Sequence, residues 1–415
     1  VEDEMTEVST RLRPVAGLLL GACVMLSLSM GLRQSLGLFM PSLTRDIAIT
    51  VSDFTLAIAV QNLAWGFLQP VAGALAVRIG FRPLMIAGAT AYVAGLLVLW
   101  RAHGLFEVLL GAGVLVGIGL ACTASGIALS VASRAVATNL RSLVLGIVTA
   151  AGSIGALLTA PVGQALINDI GWRTGILSFV VLALGMLPGA WFAGRVDGIA
   201  LPPAAGETKD DVSVGVALRA ALTHAPFLAM AAAYFVCGMQ LIFITTHLPT
   251  YLTLCGMDPM LGAQALGVIG GFNVLGSVFF GWAGGRWSKQ ALLGAIYLSR
   301  SLVLACYFML PPTQAGTLVF AAGMGFLWLG VGPLVAGSVA EMFGLRWQAM
   351  IQGLAFMSHQ LGSFLGAFGG GLLFDALGSY DLAWRLAVAM GLTAGLIQVL
   401  FALLRPPLRP ITVTV

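Results

Sequence analysis

Charged side chains are scarce in this 415-residue sequence, where Asp, Glu, Lys and Arg together make up 9%. A typical soluble domain carries about 25%. A soluble chain of this length cannot cover its surface with so little charge, which excludes a soluble enzyme, a nucleic-acid binder and a disordered protein. Cysteine is also sparse. Cys23, Cys122, Cys237, Cys255 and Cys306 are scattered, none in a CxxC or other metal-ligand spacing, so neither a disulfide framework nor a metal site is implied. They are expected to be small buried apolar side chains. No GxxxxGK[ST] loop is present, which argues against transport driven by ATP hydrolysis within this chain. No catalytic constellation and no cofactor is expected.

What the sequence does have is apolar length. Hydrophobic residues make up 59%, and there are 54 glycines, nearly double the usual share of ~7%. Glycine at that level suits helices packed closely in lipid. Runs bounded by charge or by Pro and Gly predict twelve membrane spans. They cover 14–40, 53–77, 83–101, 105–133, 143–167 and 172–193, then 226–250, 262–285, 291–310, 316–340, 348–374 and 384–404. Arg11 and Arg13 precede the first run, which continues to about Met40 without a small-x-small cleavage site. It is therefore expected to be a retained helix. Beta-barrel strands would alternate in polarity over about ten residues, and no segment does.

Lys and Arg set the expected orientation. Arg33 and Arg300 lie inside spans, and Arg45, Arg101, Arg173 and Arg385 fall on one side. The other fourteen of the twenty fall on the side that holds both ends of the chain, which the positive-inside rule makes cytoplasmic. An inner (plasma) membrane protein with both termini in the cytoplasm is expected. The longest connection, 194–225, carries Asp197, Pro202, Pro203, Glu207, Lys209, Asp210 and Asp211. It divides the chain into a first bundle over 1–193, a solvated linker over 194–225 and a second bundle over 226–415. The halves echo each other: Gly73 with Arg78 follows span 2, and Gly281 with Arg286 follows span 8, 208 residues later. Such a match supports internal duplication.

These features resemble the major facilitator superfamily of secondary transporters, whose fold is two six-helix bundles. The loop Gly73-Ala-Leu-Ala-Val-Arg-Ile-Gly-Phe-Arg82 looks like that family's signature between helices 2 and 3, and Gly171-Trp-Arg173 is a second familiar piece. More narrowly, Gly31-Leu-Arg-Gln-Ser35 with Gly37-Leu-Phe39 is similar to the bacterial monocarboxylate-transporter-like branch. So are Gln61-Asn62 with Trp65-Gly66, and His359-Gln-Leu-Gly-Ser363. The resemblance makes Gly73, Val77, Arg78, Gly80 and Arg82 a conformational loop. It also implies an acid where this chain has Val77. In the family that acid helps latch the cytoplasmic ends of the halves.

The chemistry of a transporter rests on polar groups inside its spans, which are costly in hydrocarbon. All sixteen acids fall in loops or near predicted helix ends, whereas two arginines lie mid-span. Arg stays protonated in proteins, so Arg33 and Arg300 call for an anionic ligand, for which a carboxylate is suited. The alternatives are that Arg33 snorkels to the interface and that Arg300 ties a neighbouring helix. His359, beside Gln360, is the mid-span group able to titrate near neutral pH and is the candidate proton carrier; a packing hydrogen bond is its other reading. Gln34, Asn62, Gln240 and Asn273 complete the expected substrate-binding set, each alternatively helix-helix glue. His247 reads as a gate or interface group. The glycine series Gly113/Gly117, Gly267/Gly271 and Gly362/Gly366/Gly370 suits close backbone approach, for sliding or for static packing.

The expected function is proton-coupled symport of a small organic anion, a monocarboxylate, by a monomer embedded in the bilayer. Anion exchange or efflux of amphipathic compounds is the rival transport reading. A non-transporting receptor on the same fold is the rival from another class.

Overall fold

The computed structural model describes residues 13–200 and 213–404. Eleven helices there are long and apolar enough to cross a membrane. We label them, with one more, in chain order. In the first half α1 is Arg13–Asp46, α2 Val51–Ile79, α3 Phe81–Trp100, α4 Leu105–Ala135, α5 Thr138–Asp169 and α6 Trp172–Gly198. In the second half α7 is Ala225–Leu254, α8 Met260–Ala283, α9 Lys289–Met309, α10 Gln314–Phe343 and α12 Asp381–Leu404. The twelfth, α11, is Gln348–Leu377. It is as long as the others but less apolar, because Gln348, Gln352, Ser358, His359, Gln360 and Ser363 interrupt it. Large apolar side chains point outward all along the helices, Leu20, Phe106 and Val319 among them, as lipid-facing surfaces require. The protein is an all-helical, twelve-span membrane protein.

The helices run further than hydropathy indicates. The first span continues to Asp46 through a tight 3-10 turn at Leu36–Phe39, and the sixth reaches Gly198. Within the expected linker, Val214–Thr223 forms a short helix capped by Ser213; Pro202, Pro203, Glu207, Lys209, Asp210 and Asp211 lie outside the described residues. Contacts divide the chain into two compact units. Unit 1 is Val1–Pro202 with Leu345–Gly353, and unit 2 is Pro203–Gly344 with Leu354–Val415.

Local chemistry explains where the elements start and break. Thr50 and Asp53 form a reciprocal capping box at the head of α2, satisfying two N–H groups the helix cannot pair itself. Gly80 turns the chain from α2 to α3 with φ +89°, a conformation that suits glycine. The head of α3 has no capping residue of its own. Distant Asp197 supplies the cap: Oδ1 accepts from the Phe81 N–H at 2.7 Å and Oδ2 from the Arg82 N–H at 2.9 Å. At the other end of α3, Arg173 of the Gly-Trp-Arg motif donates to the carbonyls of Trp100 and Ala102. Trp172 Nε1 donates to Asp46.

α4 is irregular although it contains no proline. In α4, Leu109–Leu115 winds as a π-helical segment, and the helix breaks at Ala124, whose backbone is extended. α10 breaks at Leu329–Gly330, just before Pro333, which has no N–H for the Leu329 carbonyl four residues back. Pro70 and Pro161, by contrast, lie inside continuous helices.

The two units repeat one internal tie. In unit 1 the Tyr92 hydroxyl of α3 donates to the Ser29 carbonyl of α1 at 3.1 Å. In unit 2 Arg300 of α9 donates to Cys237 of α7 at 3.3 Å. Arg300 and Cys237 each lie 208 residues after Tyr92 and Ser29, the same offset as the Gly73/Gly281 echo. The core of unit 2 sets an aromatic cluster, Phe243, Tyr307, Phe320, Tyr380 and Trp384 with the partly buried Phe308, among aliphatic side chains such as Ile244, Leu248 and Leu304.

Two expectations about packing need revision. Cys237 is buried, but Cys255 and Cys306 are exposed; in hydrocarbon a small apolar thiol has no need of burial. Gly113 and Gly117 abut α2, and Gly362 and Gly366 abut the α7 backbone at Phe235 and Met239. Nothing lies near Gly267 or Gly271, so that pair serves no helix contact.

Candidate functional site

In unit 1 the candidate site is centred on Arg33 of α1. Its Nη2 donates to Asn62 Oδ1 on α2, and its guanidinium lies over the Trp65 ring at 5.0 Å. The Arg33 Nε is buried without a hydrogen-bond acceptor, as is the neighbouring Ser35 hydroxyl. Gln34 is exposed. Among the described residues no carboxylate pairs with Arg33. The charge therefore rests on one amide and one aromatic face, a weak compensation for a guanidinium removed from water.

Trp65 extends the site inward. Its Nε1 donates to Gln69 Oε1 at 3.0 Å, and Gln69 Nε2 donates to the Ala121 carbonyl of α4 at 3.1 Å. Ala121 lies just before the break at Ala124, where the helix interrupts its own hydrogen bonding. Eight residues earlier on the same helix, Gln61 Nε2 donates to the Ala112 carbonyl at 2.7 Å. Ala112 lies inside the π segment. Both irregularities of α4 are thus held by glutamines of α2, and one of those glutamines is joined through Trp65 to Arg33.

In unit 2 the polar candidates separate into three places. Arg300 is fully buried. Its Nε donates to Gln240 Oε1 at 2.9 Å, and it lies over the Tyr297 ring at 5.1 Å. Gln240 is also fully buried and donates on to the Ala387 carbonyl of α12 at 2.7 Å and to Ser301. This knot joins α7, α9 and α12, while Arg300 Nη2, like Arg33 Nε, is buried without an acceptor. Asn273 of α8 stands apart: its Oδ1 accepts from the Leu329 N–H at 3.2 Å, an N–H at the break in α10.

His359 is half-buried on α11, its ring 4.6 Å from that of Tyr234 and stacked on Phe356. Its Nδ1 lies 3.3 Å from Gln360 Oε1 and 3.4 Å from the Ser363 hydroxyl. The Gly238 backbone of α7 fits against the His359 carbonyl, where any side chain would collide. His247, expected as a gate, is buried between the Tyr380 hydroxyl at 3.1 Å and the Ala367 carbonyl at 3.0 Å. It fastens α7 to α11 and to the turn before α12.

The expected conformational loop is almost wholly helical: Gly73, Val77 and Arg78 lie in the last turns of α2 and Arg82 in the first turn of α3. Gly73 lies against the backbone of Ala349 and Met350 at the start of α11, in the part of α11 that belongs to unit 1. Val77, one turn on, is half-buried, and Arg78 is exposed. Gly80 makes the turn, and Arg82 lies over Trp191 at 4.6 Å. Two residues that sequence reasoning passed over belong to this region. One is Asp197, whose capping role is described above. The other is Arg134 of α4, which lies over Phe81 and donates to the carbonyls of Leu345 and Arg346 at 3.0 and 2.9 Å. Among the described residues no group of His, Cys, Asp and Glu is disposed to hold a metal.

Comparisons with known proteins agree with this architecture. The chain is 28% identical to rat (Rattus norvegicus) monocarboxylate transporter 13 over 344 residues, covering 81% of this chain and 76% of that one. It is 26% identical to YcxA, an MFS-type transporter of Bacillus subtilis, covering 87% and 89%. Among solved structures, the E. coli fucose:proton symporter FucP superposes with a TM-score of 0.72 at 15% identity, over 94% of this chain and 99% of that one. The proton:xylose symporter XylE gives 0.73 at 12% identity, over 95% and 97%. The family model described as Major Facilitator Superfamily matches residues 18–367. Twelve helices in a duplicated arrangement, polar groups confined to a few places within them, and a match over most of its length establish that the chain belongs to the Major Facilitator Superfamily of transporters.

Proposed function

We propose that this transporter moves a small organic anion, a monocarboxylate, in symport with a proton. The observation that carries the reading is Arg33: a permanent charge inside a span, with no carboxylate partner among the described residues and a buried Nε lacking an acceptor. A substrate carboxylate supplies both the missing charge and the missing acceptor, and charge-assisted bonds of that kind are the strong ones. Asn62 holds the guanidinium in place, and Trp65 offers an apolar face to the rest of a small substrate. Arg300, tied to Gln240 and Cys237, serves the bundle instead. The name of the rat relative, monocarboxylate transporter 13, supports the substrate class.

Proton coupling rests on His359. It is the intramembrane group on α11 that can titrate near neutral pH, and Gln360 and Ser363 hold its Nδ1. An anion carried with a proton crosses without net charge. The protein is expected in the inner (plasma) membrane with both termini cytoplasmic, acting as a monomer. The test is a thermal-shift screen of purified protein. Small carboxylates should raise the unfolding temperature and their neutral amides should not; stabilisation by amines alone would overturn the reading.

A further inference from the structure

One group of cations is absorbed by neither the substrate site nor the α3 cap. At the end of unit 1 where α1 begins and α6 ends, Arg82 lies over Trp191 at 4.6 Å, and Arg195 lies over Phe192 at 4.9 Å. Both rings face outward from the bundle, Trp191 being 54% and Phe192 42% exposed. Arg195 reaches the first turn of α1 beside Gly17, one turn after Arg13. Among the described residues none of Arg13, Arg82 and Arg195 has an ion-pair partner. The local acid, Asp197, has both oxygens committed to the backbone of α3. The Arg82 Nε, moreover, is buried without an acceptor.

We propose that this end of unit 1 binds the headgroup of an anionic phospholipid, with its phosphate between Arg82 and Arg195 and its acyl chains against Trp191 and Phe192. Indole rings on the outer surface of a span settle at the lipid-water boundary, which fixes the depth of the site at the headgroup level. A guanidinium resting on an aromatic ring still has N–H donors for an oxygen ligand, and the orphaned Arg82 Nε is one. The charge excess selects an anionic lipid over a zwitterionic one. The outward exposure of the rings selects a membrane lipid over a free phosphate. This end also carries the basic connections that the positive-inside rule places in the cytoplasm, where anionic lipid is available. The inference does not depend on which substrate is carried.

The test uses the full chain in phosphatidylcholine vesicles containing a minor share of brominated phosphatidylglycerol or, separately, brominated phosphatidylcholine. Bromine quenches nearby tryptophan, and Trp191→Phe identifies the part that comes from Trp191. Quenching of Trp191 should be stronger with brominated phosphatidylglycerol. Neutralising each arginine should weaken that preference about fivefold, the effect of roughly one basic side chain at an anionic surface. Arg82→Gln/Arg195→Gln should therefore abolish it, and Arg82→Lys/Arg195→Lys should keep most of it. If the double glutamine variant fails to insert, Arg195→Gln alone, at an exposed side chain, gives the fivefold test. Equal quenching by the two lipids, or a preference unchanged by the glutamine substitutions, would overturn the proposal. So would displacement of the brominated lipid by soluble glycerol phosphate, which would identify a free anion as the ligand.

Discussion

The knot around Gln240 lends itself to a double-mutant cycle in which the two single variants should differ and the double variant should lose least. Gln240→Leu takes away the acceptor of Arg300 Nε and the donor to the Ala387 carbonyl, leaving a buried charge without its amide. Losing a hydrogen bond to a charged group costs about 1.5–3 kcal/mol, and losing the bond to the Ala387 carbonyl, which keeps its partner within the helix, adds about 1. The sum, roughly 2.5–4 kcal/mol, corresponds to a fall of about 5–16 °C in unfolding temperature for a unit of this size. Arg300→Met removes the charge instead and strands only a neutral amide, so its fall should be smaller. In Gln240→Leu/Arg300→Met both partners become apolar side chains of similar length, a change that is often close to neutral in a buried pair. The double variant should recover to within about 1 kcal/mol of the parent. Intrinsic fluorescence during thermal unfolding of the four proteins in detergent measures the cycle. Additive losses in the double variant would refute the reasoning, because they would mean that Gln240 and Arg300 stabilise the unit independently.

Three further predictions concern transport. Arg33→Gln should weaken carboxylate binding by about 10-fold or more, the loss of one charge-assisted contact, with folded yield preserved; unchanged affinity in a titration would remove Arg33 from the site. His359→Gln should uncouple accumulation from an imposed pH gradient while substrate exchange survives in proteoliposomes, and pH-driven accumulation at the parent level would exclude His359 as the proton carrier. Val77→Asp places a carboxylate one turn from Gly73, within reach of the positive end of α11, a contact of about 0.3–1 kcal/mol. It should raise labelling of a single cysteine in the outer vestibule ~2- to 5-fold, the ratio such an energy sets; labelling that stays level or falls would show that this position does not influence the conformational balance.

The spans were legible because hydrocarbon demands long apolar runs, and the polar candidates were legible because few polar residues interrupt them. Their partners were not. Arg33 and Asn62 are 29 residues apart, and Gln240 and Arg300 are 60 apart. In a helix that is apolar all round there is no polar face to reveal which side meets a neighbour. The break in α4 was hidden for a related reason: a buried side chain from another helix, Gln69, satisfies the backbone there, so no local proline is needed, whereas the break in α10 precedes Pro333. Asp197 read as part of a solvated linker because acids and prolines crowd the residues after it. A signal was present all the same, since Gly80-Phe81 opens a helix with no Ser, Thr, Asp or Asn to cap it, which asks for a cap from elsewhere. The helix at Val214–Thr223 was obscured by the same polar stretch.

The two glutamines of α2 also act as a ruler laid against α4. Gln61 and Gln69 are eight residues apart, whereas the carbonyls they reach, on Ala112 and Ala121, are nine apart. Two regular helices side by side would not match eight residues to nine, since each residue advances a helix by about 1.5 Å and turns it by about 100°. The wider winding at Leu109–Leu115 absorbs the surplus residue. It works as a phase correction for the rest of the helix. Without it, everything after the π segment, including Arg134 and its reach to the carbonyls of Leu345 and Arg346, would be turned about 100° out of register.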